Sequence, residues 1–465
     1  MSYKYKKNKK LIIYELNELP PRLLFFYSKL KPKSSIAKLI SQGMFLETIT
    51  HDSGELHPWT TWPTVHRGIG REIHGINFLN QPLDHLVNYP PVWEILQNNN
   101  ITTGVFGSLH SYIDKFSSEN ISFRLPDTFA KDAKASHKGL RLFQEFNLQL
   151  TQQNKATQRS IGITQLKQLF ILILKRELSI GPPLETIKHL IKEFFDSKYK
   201  PRRPLLQASF TFDIYKKYLV KYQPEFSTFF TNHLASMMHR YWKYLFPGDQ
   251  LVDISRFQSK SIIKAMDIAD RQIADLLSIG KKYGYQLWII SSMGQEEINR
   301  GDYIPEICIL DFNPILKILD LDEDKYEMLP AMQPDICIKA KDKISLQKLI
   351  DKLNFLCDSD NQPILNLRYK PIGNTVNLFI NNNKAIPKYK EIIYKGKKYH
   401  ISDLSIELIS RDIGTGYHVP NGVLLSDYPI ISNKAPFDVN QILDTRKILP
   451  LILDFYKLNK SNYML

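Results

Sequence analysis

The chain has 465 residues, 43% hydrophobic and 23% charged, with 62 Lys and Arg against 47 Asp and Glu for a net charge of +15. The apolar content excludes a mainly disordered chain, and the length implies two domains or one with sizeable insertions. The positive excess attracts phosphate, nucleic acid, anionic glycan or an anionic membrane leaflet without choosing among them.

The basic start, MSYKYKKNKK, leads into an apolar run too short for the core of a secretion signal. The longest apolar run, residues 169–174, falls far short of the roughly 20 residues that a membrane span needs. Cys308, Cys337 and Cys357 have no CxxC spacing, which excludes a disulfide framework and a structural zinc site and suits a reducing compartment. The expectation is a cytoplasmic protein, with peripheral contact at the inner membrane as the variant to test.

Residues 11–14 (LIIY) read as a buried parallel strand that ends at Glu15, Asn17 and Glu18, before Pro20-Pro21. A helix follows near 22–42, and then a polar loop, HDSGELHPWTTWPTVHRGIGREIHGINF. Pro90-Pro91 opens the helix VWEILQNN, which leads to the strand TTGVFGS. Residues 130–205 lose this alternation and read as a helical insertion or lid. Within it QLKQLFILILKREL, flanked by Lys167, Lys175 and Arg176, is expected to be a buried lid helix ahead of a membrane-surface helix.

The alternation resumes with FSTFFTN, which runs into a helix carrying His233 and His239, and with the helix SIIKAMDIADRQIADLLSIGKKYG feeding the strand QLWIISS. Residues 330–412 read as a small α+β insertion. The predicted fold is a three-layer α/β/α sandwich with a mostly parallel central sheet. Its core comprises residues 1–129, 206–329 and 413–465, interrupted by the two insertions.

Ligands in such sheets bind beyond the carboxyl ends of the strands. Four places qualify: Glu15 to Glu18, the loop from Thr60 to His74, His233 with His239, and Gly416-Tyr417-His418. A strand-end acid, Thr61-Trp62-Pro63, His74-Gly75-Ile76, a mid-chain histidine before a helix, a strand followed by Ser-x-x-Gly, and a late Gly-x-x-His succeed one another. In that order the sequence resembles the alkaline phosphatase superfamily, nearest its phosphodiesterase/nucleotide pyrophosphatase branch. Within it the chain is similar to a bacterial group whose first strand ends in Glu-Leu-Asn-Glu, here residues 15–18.

The resemblance implies a pair of metal ions, usually zinc, clamping a phosphoryl group while Thr or Ser attacks it. Thr61 matches the nucleophile, Glu15 the first metal carboxylate, His74 the His-Gly-Ile step and His418 the last metal histidine. Two departures remove ligands: Ala235 stands where the family has an Asp four residues before its histidine, here His239, and Ser291-Ser292-Met293-Gly294 replaces Ser-Asp-His-Gly. A thioether is a poor ligand for zinc or magnesium. The expectation is therefore one divalent metal (zinc, manganese or magnesium) on two or three histidines and a carboxylate, or metal-free acid–base work.

The expected roles follow. Thr61 attacks, and His66 or His233 moves protons. Glu15, Glu18, His239 and His418 hold the metal or phosphoryl oxygens. Asn17, Thr64, Arg67, Arg240 and Gln295 bind substrate, with Arg71 and Asn232 nearby. The plainer readings make Glu15 and Glu18 helix caps, His66 and His74 structural histidines, and Asp127 an N-cap.

The expected activity is hydrolysis or transfer of a phosphoryl group or phosphodiester on a nucleotide-like, lipid-linked or glycan substrate. One alternative is a transferase of surface-polysaccharide assembly using an activated sugar. Another is a non-catalytic protein binding a phosphorylated ligand. The positive residues are scattered, with no zinc finger, basic helix or RNP-like motif, so no specific nucleic-acid partner is expected. GIGREIHG lacks the spacing of a dinucleotide or P-loop glycine motif.

Overall fold

A computed structural model describes residues 9–464 except 114–117, 154–162, 249–251, 300–304, 333, 382–384, 410–413 and 431–441. The core strands and one hairpin are β1 (Lys10–Leu16), β2 (Met44–Ile49), β3 (Thr103–Phe106), β4 (Ile121–Leu125), β5 (Phe226–Thr231), β6 (Tyr285–Ile290), β7 (Gly294–Glu297), β8 (Gly416–Val419), β9 (Asn421–Ser426) and β10 (Leu443–Asp444). They form an eight-stranded sheet in the order β10-β2-β9-β6-β1-β5-β3-β4, with β7 and β8 paired outside it. β9 runs antiparallel to both of its neighbours, and the remaining pairings are parallel.

The apolar run in β1 has a simple cause. Ile12, Tyr14 and Leu16 point into one core while Leu11 and Ile13 point into the other, so both sides of the strand are buried. Helices Pro21–Leu30, Ser35–Gln42, Arg203–Tyr222, His233–Leu245 and Phe257–Tyr283 cover the first face. Pro58–Arg67, Val92–Asn98 and Ile448–Tyr456 cover the second, completing the three-layer α/β/α sandwich. A separate core runs from Ile307 to Ile406, beneath a four-stranded sheet and smaller antiparallel sheets of three and two strands.

Two local expectations need correction. The helix near 22–42 is two helices, parted where Ser34 caps the second through the Ala37 N–H at 3.1 Å. The polar loop contains the helix Pro58–Arg67: Pro58 takes the first position, Thr60 Oγ1 accepts the His57 N–H at 3.2 Å, and Gly68 ends it with φ 66°. Its buried residues include Thr60, Thr61, Thr64, His66 and Arg67, so the apolar spacing that announces a helix is absent.

Candidate active site

At the carboxyl end of β1 the chain turns through Glu18, which is 2% exposed and has φ 63°. A buried non-glycine residue in this left-handed region costs of order 1 kcal/mol, and such residues cluster where function constrains the backbone. Asn17 Nδ2 donates to Glu18 Oε1 at 2.8 Å, and Gln295 Nε2 donates to Glu18 Oε2. His239 Nε2 and His418 Nε2 stand 3.1 and 3.5 Å from Glu18 Oε2.

These three residues come from the end of β1, the helix after β5 and β8, and one ligand atom from each lies within 4.8 Å of the other two. β8 pairs with β7 so that His418 faces Gln295. Gly416 permits that approach, since a Cβ there would lie 2.6 Å from the Met238 carbonyl oxygen and 2.7 Å from Gln295 Oε1.

The charge of this cluster follows from its hydrogen bonds. His239 Nδ1 lies 2.9 Å from the Gly416 carbonyl, which can only accept, so Nδ1 carries the proton. The other ring nitrogen then faces a carboxylate oxygen, and a positive species, proton or metal ion, must lie between them. Burial alone would raise the Glu18 pKa, but His418 and His239 outweigh it and hold the carboxyl well below its ordinary range.

A tetrahedral ion with ligands at about 2.0–2.1 Å places its ligand atoms about 3.3 Å apart, which the two observed separations bracket. His418 Nδ1 is buried without a hydrogen-bond partner among the described residues. The donor set of two imidazoles and one ionised carboxylate therefore fits a single divalent cation.

Glu15, expected beside His239 and His418, lies elsewhere. Its Oε1 meets His66 Nε2 at 2.7 Å, with Trp62 and Trp93 packed on the imidazole, and it is fully buried. Its side chain leaves β1 before the turn that carries Glu18 into the histidine cluster. Asn17 joins the two carboxylate regions: its Oδ1 accepts from Trp62 Nε1 at 2.8 Å, and Nδ2 also reaches Asn232 Oδ1 at 2.6 Å.

Thr61 has no exposed surface; its hydroxyl lies 2.8 Å from Ser292 Oγ and 3.2 Å from the His57 carbonyl. Met293, beside Ser292, is wholly buried.

Other expected residues serve packing. His233 accepts a bond from Thr231 Oγ1 at 2.8 Å and donates to the Ala265 carbonyl at 3.0 Å, facing the helix Phe257–Tyr283 and not the cluster. With both nitrogens engaged and burial lowering its pKa to about 4, it is a neutral structural histidine. Thr64 bonds Asp52 at 2.7 Å and His74 Nε2 at 3.1 Å. Asp52 also accepts the Arg71 N–H at 2.8 Å, and burial raises its pKa. Burial lowers the His74 pKa to about 3.

Arg67 donates to the Tyr89 carbonyl, and burial lowers its pKa to about 10. Arg240 bonds back to Ser236 on its own helix at 2.8 Å, and Arg71 holds the Ser53 and Glu55 carbonyls. Asp127 holds the Phe129 N–H at 2.8 Å in a loop and caps no helix.

Sequence reasoning missed the rim. His57 stacks on Trp59 and meets the His418 ring edge-on, with centroids 5.6 Å apart. Burial lowers its pKa to about 4 against the opposing pull of Glu55, so it is neutral at pH 7. Tyr417 donates to Glu55, which pairs with Arg368 of the second core region at 3.0 Å. The signal available was His57-Pro58 followed by Thr60, a helix start placing a histidine at the cap.

No family model and no curated protein matches this sequence. The chain is similar to solved structures over nearly its whole length. With phosphonoacetate hydrolase from Sinorhizobium meliloti 1021 in complex with phosphonoformate it shares 12% identity and a TM-score of 0.45, covering 97% of this chain and 96% of that one. With murine ectonucleotide pyrophosphatase/phosphodiesterase 5 the values are 11%, 0.40, 97% and 96%. With the human form of that protein they are 12%, 0.38, 97% and 96%.

Proposed function

We propose that the chain hydrolyses or transfers a phosphoryl group or phosphodiester at a single divalent cation held by Glu18, His239 and His418. The observation that carries this reading is the convergence of those three ligand atoms within 4.8 Å of one another, from segments far apart in the chain. The sequence resemblance to the alkaline phosphatase superfamily supplies the chemistry, and the net charge of +15 suits an anionic substrate.

When bound, the cation supplies Lewis-acid polarisation of a phosphoryl oxygen. Asn17 and Gln295 fix Glu18, the Gly416 carbonyl sets the His239 tautomer, and neutral His57 offers a hydrogen-bonding edge beside His418. The attacking hydroxyl, of water or of Thr61, gives up its proton as its oxygen bonds to phosphorus, while the bond to the leaving oxygen breaks and that oxygen takes up a proton; a phosphoryl group taken by Thr61 then passes to water or an acceptor hydroxyl in a second displacement. The substrate classes we favour are nucleotide-like, lipid-linked and glycan phosphoesters.

Metal content and turnover of aryl phosphate mono- and diesters test the reading together. The expected result is about one zinc, manganese or magnesium ion per chain, with turnover that chelation and His418→Ala both remove. Protein that binds none of these ions and turns over none of the esters would refute it.

A second reading is a non-catalytic protein that binds a phosphorylated ligand through the same cation. It is favoured by Thr61, whose hydroxyl is engaged by Ser292 beneath a closed surface. It predicts thermal stabilisation by phosphate with the metal present and no turnover. Turnover abolished by Thr61→Ala would exclude it.

A further inference from the structure

The helix Gly181–Phe195 is turned inside out. Its buried residues are Thr186, His189 and Glu193, whereas Leu184, Ile187, Ile191, Phe194 and Phe195 face outward. At about 100° per residue these five apolar positions fall within one arc of about 100°. Phe194 and Phe195 are 85% and 81% exposed. The orientation is pinned from within, because Arg203 grips both oxygens of Glu193, one of them at 2.9 Å, and His189 Nε2 lies 3.7 Å from the same carboxylate. Burying the polar stripe and exposing the apolar one wastes hydrophobic stabilisation unless something apolar covers it.

We propose that this face seats the protein on the surface of an anionic lipid bilayer. Lys188 and Lys192 are exposed along one flank of the stripe, with Glu185, and Lys175 and Arg176 are exposed in the turn before the helix. Such a basic border beside phenyl rings matches the boundary between anionic headgroups and acyl chains. In an antiparallel pairing a second copy of the chain would set lysine flank against lysine flank, which charge opposes.

The placement also suits a surface-bound enzyme. Tyr14 OH bonds Gln272, which donates to the Ala208 carbonyl, while Tyr215 OH bonds Ser227 at the start of β5. The helix Arg203–Tyr222 therefore runs opposite to β5, with its N-terminus toward the carboxyl edge of the sheet. Phe194 and Phe195 join that N-terminus through Ser197–Arg202, at the end of the molecule that carries Glu18, His239 and His418.

Sedimentation with vesicles of phosphatidylcholine, with and without phosphatidylglycerol, tests the proposal without reference to turnover. The wild type is expected to sediment with phosphatidylglycerol vesicles and to be released from them by salt. The double variant F194E/F195E should bind about a hundredfold more weakly, the loss for two phenyl rings, with unchanged melting temperature. K188E/K192E should bind more weakly and lose much of the salt dependence. Failure of the wild type to bind these vesicles, or equal binding by F194E/F195E, would overturn the proposal. So would a dimer in size-exclusion chromatography that F194E/F195E converts to monomer, since that outcome assigns the face to a second copy.

Discussion

Glu15 and Glu18 leave the same strand end and each meets histidine, yet they occupy opposite kinds of environment. Glu15 and His66 are sealed beneath Trp62 and Trp93, and Glu15 Oε2 has no hydrogen-bond partner among the described residues. Glu18 faces two histidines, one of which, His239, keeps 32% of its side chain exposed. A carboxylate sealed under packed aromatic rings resists exchange, whereas a carboxylate with two imidazoles beside solvent can take up and release a cation. The difference arises in the backbone: Glu15 lies within the ladder of β1, and the left-handed turn at Glu18 swings the second carboxylate out toward β8.

The sharpest way to break this contrast is to change one carboxylate at a time. Glu18→Gln keeps the side-chain shape and removes the charge, so metal affinity should fall by about a hundredfold or more, measured by calorimetric titration with zinc. Full occupancy in that variant would show that the cluster is a hydrogen-bond network and not a cation site. Glu15→Ala should do the reverse. It leaves His66 buried without its partner and should cost about 1–3 kcal/mol in urea unfolding while metal content per folded chain is unchanged. Loss of metal from a stable Glu15→Ala protein would invert the assignment.

Much of the scaffold could be read from the chain because its strands are buried on both sides and its long helices carry apolar residues at helical spacing. Glu18, His239 and His418 could be singled out because each follows a strand or a glycine-rich turn. Their grouping could not, since it depends on the φ of Glu18 and the register that sets His418 against Gln295. Pro58–Arg67 was hidden because most of its buried side chains are polar, and His57 was hidden with it. The helix Gly181–Phe195 shows the converse failure. Its sequence is amphipathic, and which face turns inward shows only in the burial of Thr186, His189 and Glu193 and in the Arg203–Glu193 pair.

A pH series separates His233 from His239, which share a helix but not a surrounding. His233 is buried with a pKa lowered to about 4, against an ordinary value of 6.5. Because the unfolded chain binds a proton there more readily than the folded chain does, stability is complete above about pH 6.5 and falls as pH drops toward 4. The full loss on going from 6.5 to about 4 corresponds to about 3 kcal/mol. Urea midpoints measured from pH 7 to pH 4 should show this slope in the wild type. His233→Gln, which cannot titrate and can still donate to the Ala265 carbonyl, should make the slope shallower by that share, the rest remaining with His57 and His74, whose pKa values burial also lowers. An unchanged slope in the variant would place the titrating group elsewhere and remove the distinction drawn between the two histidines.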